Sequence, residues 1–88
     1  MRALIAVALA AFVILLSPAR SPADEVSLEQ VPPAVRATIE RELGGGRLEE
    51  IERETKNGRT VYEVELVRDG KEREVHIAED GTVLKRDD

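Results

Sequence analysis

The chain has 88 residues, of which 42% are hydrophobic and 35% charged, and its formal net charge is −5. This length allows one small domain and excludes a two-lobed enzyme with a cleft between its lobes. The absence of cysteine from the sequence excludes disulfides, thiolate zinc sites and a lipidated-cysteine anchor. Residues 1–23 contain two arginines and no acid, whereas residues 24–88 contain 11 basic and 18 acidic side chains, a net charge of −7. With Tyr62 as its one aromatic residue, this acidic segment lacks the basic surface and stacking rings of nucleic-acid binders.

The first 23 residues are predicted to be a secretory signal peptide. Met1-Arg2 gives a positive start, residues 3–16 are an unbroken apolar run, and small residues in the following segment suit cleavage after Ala23. An uncleaved anchor is the alternative, but such a run spans about 21 Å of a roughly 30 Å hydrocarbon core. We therefore expect a domain over 24–88 that is periplasmic or secreted and free of the membrane after cleavage.

One amphipathic helix is predicted near the start of this domain. Pro32-Pro33 suits the first helical turn, where a missing N–H costs nothing. Gly44-Gly45-Gly46 suits the end of the helix, because glycine accepts the left-handed conformation. Ser27 and Gln30, upstream, have the spacing of a capping box. The apolar stripe of the helix, with a period of four, consists of Val31, Val35, Ile39 and Leu43.

Beyond the glycines the apolar period falls from about 3.6 to 2, which predicts β-strands. Asn57-Gly58, Asp69-Gly70 and Asp80-Gly81 are typical hairpin turns. Leu48 and Ile51 have opposite parity in the first strand, which predicts a bulge or a late start of that strand. The predicted antiparallel meander has four strands, at 47–56, 59–68, 71–78 and 82–86.

These elements predict an α+β fold in which the helix packs on the apolar face of a four-stranded sheet. The other face is expected to remain in water. A domain of this size buries only about 60% of the surface of its unfolded chain, so we expect marginal stability. The expected core consists of Val35, Ile39, Leu43, Leu48, Ile51, Tyr62, Val64, Leu66, Val75, Ile77 and either Val83 or Leu84.

The polar face carries His76, the one histidine of the sequence. A single histidine without a second histidine or a cysteine falls short of the usual ligand set of a transition-metal site. We therefore interpret His76 as a solvated strand residue, and a His/Glu metal site or a general base is the alternative interpretation.

Four glutamates of the predicted sheet form a second candidate group. Glu63 and Glu65 would face Glu72 and Glu74 across a hairpin, and paired carboxylates can bind Ca²⁺ or act as acid and base. Basic residues among them favour an ordinary mixed-charge face instead. These basic residues are Arg68, Lys71 and Arg73.

The remaining motifs indicate no catalysis. The glycines at 44–46 have no phosphate-binding pattern. Glu79-Asp80-Gly81 lacks the ligand series of a calcium loop and is interpreted as a turn. The hydroxyl groups lie outside any nucleophile motif. We therefore predict a protein that is not an enzyme and has no catalytic, cofactor-binding or metal-binding residues. The hydroxyl residues considered are Ser27, Thr38, Thr55, Thr60, Tyr62 and Thr82.

The order of these features resembles the PepSY-like domain family over nearly all of residues 28–86. The resemblance implies a small exported α+β module without catalytic residues. It is similar to modules in the propeptides of thermolysin-type metallopeptidases, similar folds occur in beta-lactamase inhibitor proteins, and the family is implicated in restraining peptidases or other envelope proteins. The motifs that carry the resemblance are Val31-Pro32-Pro33-Ala34-Val35-Arg36-Ala37, Gly44-Gly45, Leu48, Ile51, Asn57-Gly58, Val61-Tyr62-Glu63-Val64-Glu65, Asp69-Gly70, Val75-His76-Ile77 and Glu79-Asp80-Gly81-Thr82-Val83-Leu84.

Three functions remain open from the sequence. The first is a non-catalytic binding module that modulates or inhibits an exported peptidase or another envelope protein, in trans because no peptidase domain is attached. Its last strand, 82–86, or its first strand would offer an edge for strand addition, and the last is guarded by Lys85, Arg86 and Asp87-Asp88. The second is an acidic periplasmic protein that binds cations or small ligands. The third is a structural envelope protein that pairs with its own copy. We expect a monomer or a weak dimer.

Overall fold

The structure is a computed structural model that describes residues 23–87. A short 3-10 helix over Leu28–Gln30 precedes helix α1, Pro33–Leu43. Apart from Ala23, the predicted signal peptide lies outside the described residues, so it stays a prediction. The five strands are β1 (Asp24–Glu25), β2 (Arg47–Lys56), β3 (Arg59–Arg68), β4 (Lys71–Ala78) and β5 (Val83–Asp87).

All five strands form one antiparallel sheet in the order β1-β2-β3-β4-β5, and α1 packs against one face of it. The predicted α+β fold, one helix on an antiparallel meander, is confirmed. The four predicted strands are present, but the prediction missed β1, in which Asp24 lies opposite Arg53 and Glu25 opposite Glu52. A two-residue strand is too short to show a period of two, so the sequence pattern gave no signal for it.

Helix α1 begins and ends where the sequence predicts. Pro33 occupies its first position, and Gly44 ends it in the left-handed conformation with a φ of 50°. Val35 and Ile39 are completely buried on its inner side, whereas Val31 lies before the first turn and is buried there. The stripe of valine and isoleucine therefore directs α1 onto the sheet, although its first member is not helical.

A hydroxyl group connects α1 to the turn between β4 and β5. Thr38 is buried, and its Oγ1 lies 3.1 Å from the carbonyl oxygen of Ala34 and 2.6 Å from that of Gly81. Gly81 has a φ of 89°, and a Cβ atom there would lie 2.7 Å from the Ala34 carbonyl oxygen. Glycine is therefore required at this position both by its backbone conformation and by the close approach of the helix.

The predicted irregularity of β2 is a bulge at Glu49. Leu48 lies opposite Leu66 and Glu50 opposite Glu65, so the register shifts by one residue between them. The shift restores Ile51 to the side of the sheet that faces α1, where it is 1% exposed. The bulge lets two apolar residues of opposite parity contribute to one core.

The predicted core is confirmed for most of its members. Leu43, Leu48 and Val83 are only partly buried against it. Leu84 is 55% exposed. A second register shift pairs Val83 with Ile77 and Lys85 with His76, so Leu84 lies opposite no residue of β4. Four buried residues were not in the predicted core: Val26, Val31, Thr38 and Val61. Of these, Val31 belongs to the predicted helix stripe, and Val61 lies opposite Glu54 and Ala78, on the face of the sheet away from α1.

An ion pair connects β5, at the edge of the sheet, to the last turn of α1. Arg86 donates from Nε and Nη2 to Oε1 of Glu42, at 3.0 and 2.5 Å. The hydrogen bond from Arg86 holds the pKa of Glu42 below its ordinary value of 4.5. Among residues 23–87, no helix is both long and apolar enough to cross a bilayer.

The packing of α1 on the sheet predicts the effect of a core truncation. Ile39→Ala should lower the free energy of unfolding by about 2–4 kcal/mol, because the helix side chain is completely buried and leaves a cavity. Urea unfolding followed by circular dichroism measures the loss. Leu84→Ala, at an exposed site, is the control and should change it by less than about 0.5 kcal/mol. A loss below about 0.5 kcal/mol for Ile39→Ala would contradict the packing described here.

Candidate functional site: the open face of the sheet

The face of the sheet opposite α1, called the open face below, carries every second side chain of the strands. On β3, Glu63 and Glu65 point to this face, whereas the intervening Val64 is completely buried under α1. Residues that lie opposite one another on paired strands point to the same face, so the pairing register assigns the open-face residues of the other strands. Its acidic residues are Glu25, Glu50, Glu52, Glu54, Glu63, Glu65, Glu72, Glu74 and Asp87, and its basic residues are Arg47, Lys56, Arg59 and Lys85.

The basic residues that the sequence analysis placed among the four glutamates alternate to the other side. Arg73 lies opposite the buried Leu66, and Arg68 lies opposite Lys71 in the same alternation. Arg68 also reaches the last turn of α1, where its Nη1 donates to the carbonyl oxygen of Glu42 at 3.4 Å. The placement of these three residues among the glutamates was therefore wrong, whereas the open face is of mixed charge through other basic residues.

Glu63 lies at the centre of the open face and has neighbours on both adjacent strands. Lys56 of β2 donates from Nζ to Glu63 Oε1 at 2.6 Å and lies 3.7 Å from Glu54 Oε2. From β4, His76 Nε2 lies 3.8 Å from Glu63 Oε1 and 3.6 Å from Glu74 Oε1. The structure thus joins three of the predicted candidates, Glu63, Glu74 and His76, in one cluster.

His76 is not the solvated side chain that the sequence analysis favoured. Its side chain is 14% exposed, and among the described residues its buried Nε2 has no hydrogen-bond partner. The distances from Nε2 to both carboxylates exceed those of a hydrogen bond. Burial of His76 follows from its central position, since it pairs with Glu63 on one side and Lys85 on the other.

The carboxylates of Glu54 and Glu63 have pKa values that shift in opposite directions. Burial acts to raise the pKa of Glu63, but hydrogen bonds with Lys56 and Glu54 and the charges of Lys56 and His76 outweigh it and lower the value. Burial and the hydrogen bond with Glu63 raise the pKa of Glu54. Glu63 is therefore the first carboxyl of the pair to lose its proton as pH rises, and Lys56 stabilises its charge.

Negative charge is less well compensated towards the β1 edge of the open face. The pKa of Glu50 is raised by partial loss of hydration and then by the charges of Glu52, Glu65 and Glu25. A raised carboxylate pKa caused by like charges indicates mutual repulsion on folding. A cation or a basic surface placed over this region would relieve that repulsion.

The other candidates from the sequence serve the fold. The hydroxyl of Thr38 contacts the β4–β5 turn, and Tyr62 is buried in the core. Asp80 accepts a hydrogen bond from the backbone N–H of Thr82 at 2.9 Å, and hydrogen bonding by Thr82 lowers the pKa of Asp80. Gly44 ends α1. The expectation of no catalytic or cofactor-binding residue stays a prediction.

The contribution of β2 to the open face was not predicted from the sequence. Glu52, Glu54 and Lys56 alternate towards Glu63, and Glu52 lies directly opposite it. The irregular start of β2 obscured its phase. Counting back in steps of two from the Asn57-Gly58 turn would have assigned these residues correctly, because a two-residue hairpin fixes the register.

The pKa shift of Glu63 predicts the effect of removing its cationic neighbour. Lys56→Gln should raise the pKa of Glu63, because it removes a hydrogen bond and a positive charge that lower this pKa, while burial still raises it. NMR titration of the Glu63 side-chain carboxyl carbon measures this change. Lys85→Gln removes the same charge elsewhere on the open face and should shift the value less. Equal shifts in the two variants would contradict the pairing.

The sign of the linked stability change follows from the direction of the shift. The lowered pKa of Glu63 contributes stability above its ordinary value of 4.5, and this contribution is lost as pH falls through the folded value. Glu54 has a raised pKa, so its contribution is present at lower pH and is lost as pH rises through the folded value. These two contributions to stability have opposite signs. The NMR titration of Glu63 therefore tests its pairing with Lys56 more directly than the pH dependence of the free energy of unfolding.

Comparison with known proteins identifies the family. A family model described as "PepSY: Peptidase propeptide and YPEB domain" matches residues 25–87, which include α1 and nearly the whole sheet. No curated protein and no solved structure matches the chain significantly. The match confirms the resemblance inferred from the order of the motifs, and the chain belongs to the PepSY family.

Proposed function

We propose that this protein is a non-catalytic binding module that engages an exported peptidase, or another protein of the cell envelope, and restrains it. The observation that carries the proposal is the family match over residues 25–87. PepSY domains are generally non-catalytic modules of the propeptide or inhibitor type, and they typically occur in exported proteins. The predicted signal peptide, with cleavage after Ala23, would bring the domain to the same compartment as such a partner.

The open face supports this proposal as the docking surface. No described element covers it, since α1 packs on the opposite side of the sheet. The repulsion among Glu50, Glu52 and Glu65 would be relieved by lysine or arginine side chains of a partner. We therefore propose that the partner presents a basic surface to the β1–β3 part of the open face.

Strand addition at an edge of the sheet is a second way for a partner to bind. Strand β5 forms one edge, and β1 with the adjoining Val26 covers β2 only over residues 51–53. Lys85, with Asp87 3.6 Å from its Nζ, is charged and exposed on β5, as is common on edges that avoid unselective pairing. This edge is less favoured as the primary contact, because its charges oppose strand addition.

Inhibition of a purified secreted metallopeptidase of the thermolysin type tests the proposal. Increasing amounts of the purified protein should slow hydrolysis of a peptide substrate in a saturable manner. The charge reversal Glu50→Lys/Glu65→Lys should weaken inhibition by at least about tenfold, because it replaces the attraction with repulsion. The control Glu29→Lys/Glu40→Lys changes the net charge equally at exposed sites on the 3-10 helix and α1, and it should retain inhibition.

Binding and inhibition are measured separately, so that a missing inhibitory effect can be distinguished from missing binding. Binding without inhibition, detected by calorimetry, would support a docking module that does not restrain its partner. The absence of both at about micromolar concentration, with peptidases of several classes, would contradict the peptidase proposal. Equal loss of binding in the two double variants would contradict the assignment of the open face.

A further inference from the structure

We propose that Glu63, Glu74 and His76 form a binding site for one divalent transition-metal ion, with Zn²⁺ as the best-fitting probe. Each residue offers one ligand atom, and the three atoms lie within 4.8 Å of one another. The proposal concerns a ligand of this chain alone and does not depend on whether the domain restrains a peptidase. It revises the interpretation of His76 from the sequence, because the structure supplies ligands from two strands.

The spacing of the ligand atoms is close to that of a tetrahedral site. Metal–ligand distances of about 2.0–2.1 Å place neighbouring ligand atoms roughly 3.3–3.4 Å apart. In the structure, His76 Nε2 lies 3.8 Å from Glu63 Oε1 and 3.6 Å from Glu74 Oε1. Small side-chain rotations would close this difference. One imidazole and two carboxylates would leave the fourth position to water.

The unsatisfied Nε2 atom of His76 is the independent observation that points to a ligand. His76 Nε2 is buried, and in the described part of the chain no hydrogen-bond donor or acceptor satisfies it. A buried polar atom without a partner is unfavourable, and native structures seldom retain one without a reason. A metal ion between the imidazole and the two carboxylates would satisfy Nε2 and neutralise the adjacent negative charge. Imidazole nitrogen also favours transition metals over Ca²⁺ and Mg²⁺, which prefer oxygen ligands.

Lys56 explains why the ion is placed on the β4 side of Glu63. A second acidic group, Glu52, Glu54 and Glu63, lies on the β2 side, but the ammonium group of Lys56 already contacts Glu54 and Glu63 there. The same Glu63 oxygen faces both Lys56 and His76. Lys56 therefore competes electrostatically with an ion bound by His76, and its removal should strengthen binding of the metal.

The imidazole can be reached from the open face. A shallow depression beside the β2–β3 hairpin contains His76 among its lining residues, together with Lys56, Val61 and Leu84. The imidazole ring thus borders the open face, whereas Nε2 itself is buried, so an ion reaches Nε2 only when neighbouring side chains move. The site thus has a ligand set and nearly tetrahedral spacing, two of the requirements for a metal site.

Titration of the purified protein with ZnCl₂, followed by calorimetry and by NMR, tests the site. His76 is the one histidine of the sequence, so its imidazole resonances report on a single residue. We expect these resonances to shift in a saturable manner with one equivalent of Zn²⁺. His76→Gln and Glu74→Gln should each weaken binding at least about tenfold, because each removes one ligand.

Three further variants distinguish a specific metal site from general attraction of cations to acidic residues. Glu72→Gln removes the same charge as Glu74→Gln from the same face and strand, and it should change the affinity less than about twofold. Lys56→Gln should raise the affinity several-fold, whereas Lys85→Gln, with the same charge change, should have a smaller effect. Equal effects of Glu72→Gln and Glu74→Gln, unmoved imidazole resonances, or Ca²⁺ binding as tight as Zn²⁺ binding would overturn the proposal.

Discussion

The structure depends on the packing of one apolar helix stripe against one face of the sheet. Val35 and Ile39 of α1 are completely buried against the apolar residues of β3 and β4, including Val64 and Ile77. The domain has few other apolar residues, so this single layer supplies most of the favourable burial. Thr38 and Glu42 extend the same contact to the β4–β5 turn and to β5. Helix and sheet therefore stabilise each other.

Because α1 buries only one face of the sheet, the other face is left as a surface for charged residues. With α1 on one face, the opposite face is free to carry charge, and most of its charged residues are acidic. Lys56 neutralises part of this charge around Glu63, while Glu50 remains among like charges and His76 Nε2 remains unsatisfied among the described residues. These two local imbalances, on different parts of the open face, motivate separate proposals: a basic partner near Glu50 and a metal ion at His76.

The fold was predictable wherever a repeated pattern extended over several residues. The period of α1, the alternation in β3 and β4 and the turn dipeptides all correspond to observed elements, and the opposite parity of Leu48 and Ile51 predicted the bulge. Strand β1 escaped prediction because two residues show no period. The cluster around Glu63 was only partly predictable, because it depends on which residues of three strands become neighbours. The bulge obscured the phase of β2 and concealed Glu54 and Lys56, and burial of His76 arises from its neighbours on adjacent strands.

One face of the sheet is closed by α1, and the opposite face is open. Because the sequence contains no cysteine, a single introduced thiol reports on one position. The most direct measurement compares the rates at which a thiol reagent labels Val64→Cys and Glu65→Cys, neighbours on β3 that point to opposite faces. We expect Glu65→Cys to react like a free thiol and Val64→Cys to react at least about a thousandfold more slowly, through unfolding. Similar labelling rates at the two positions under native conditions would contradict this arrangement of closed and open faces.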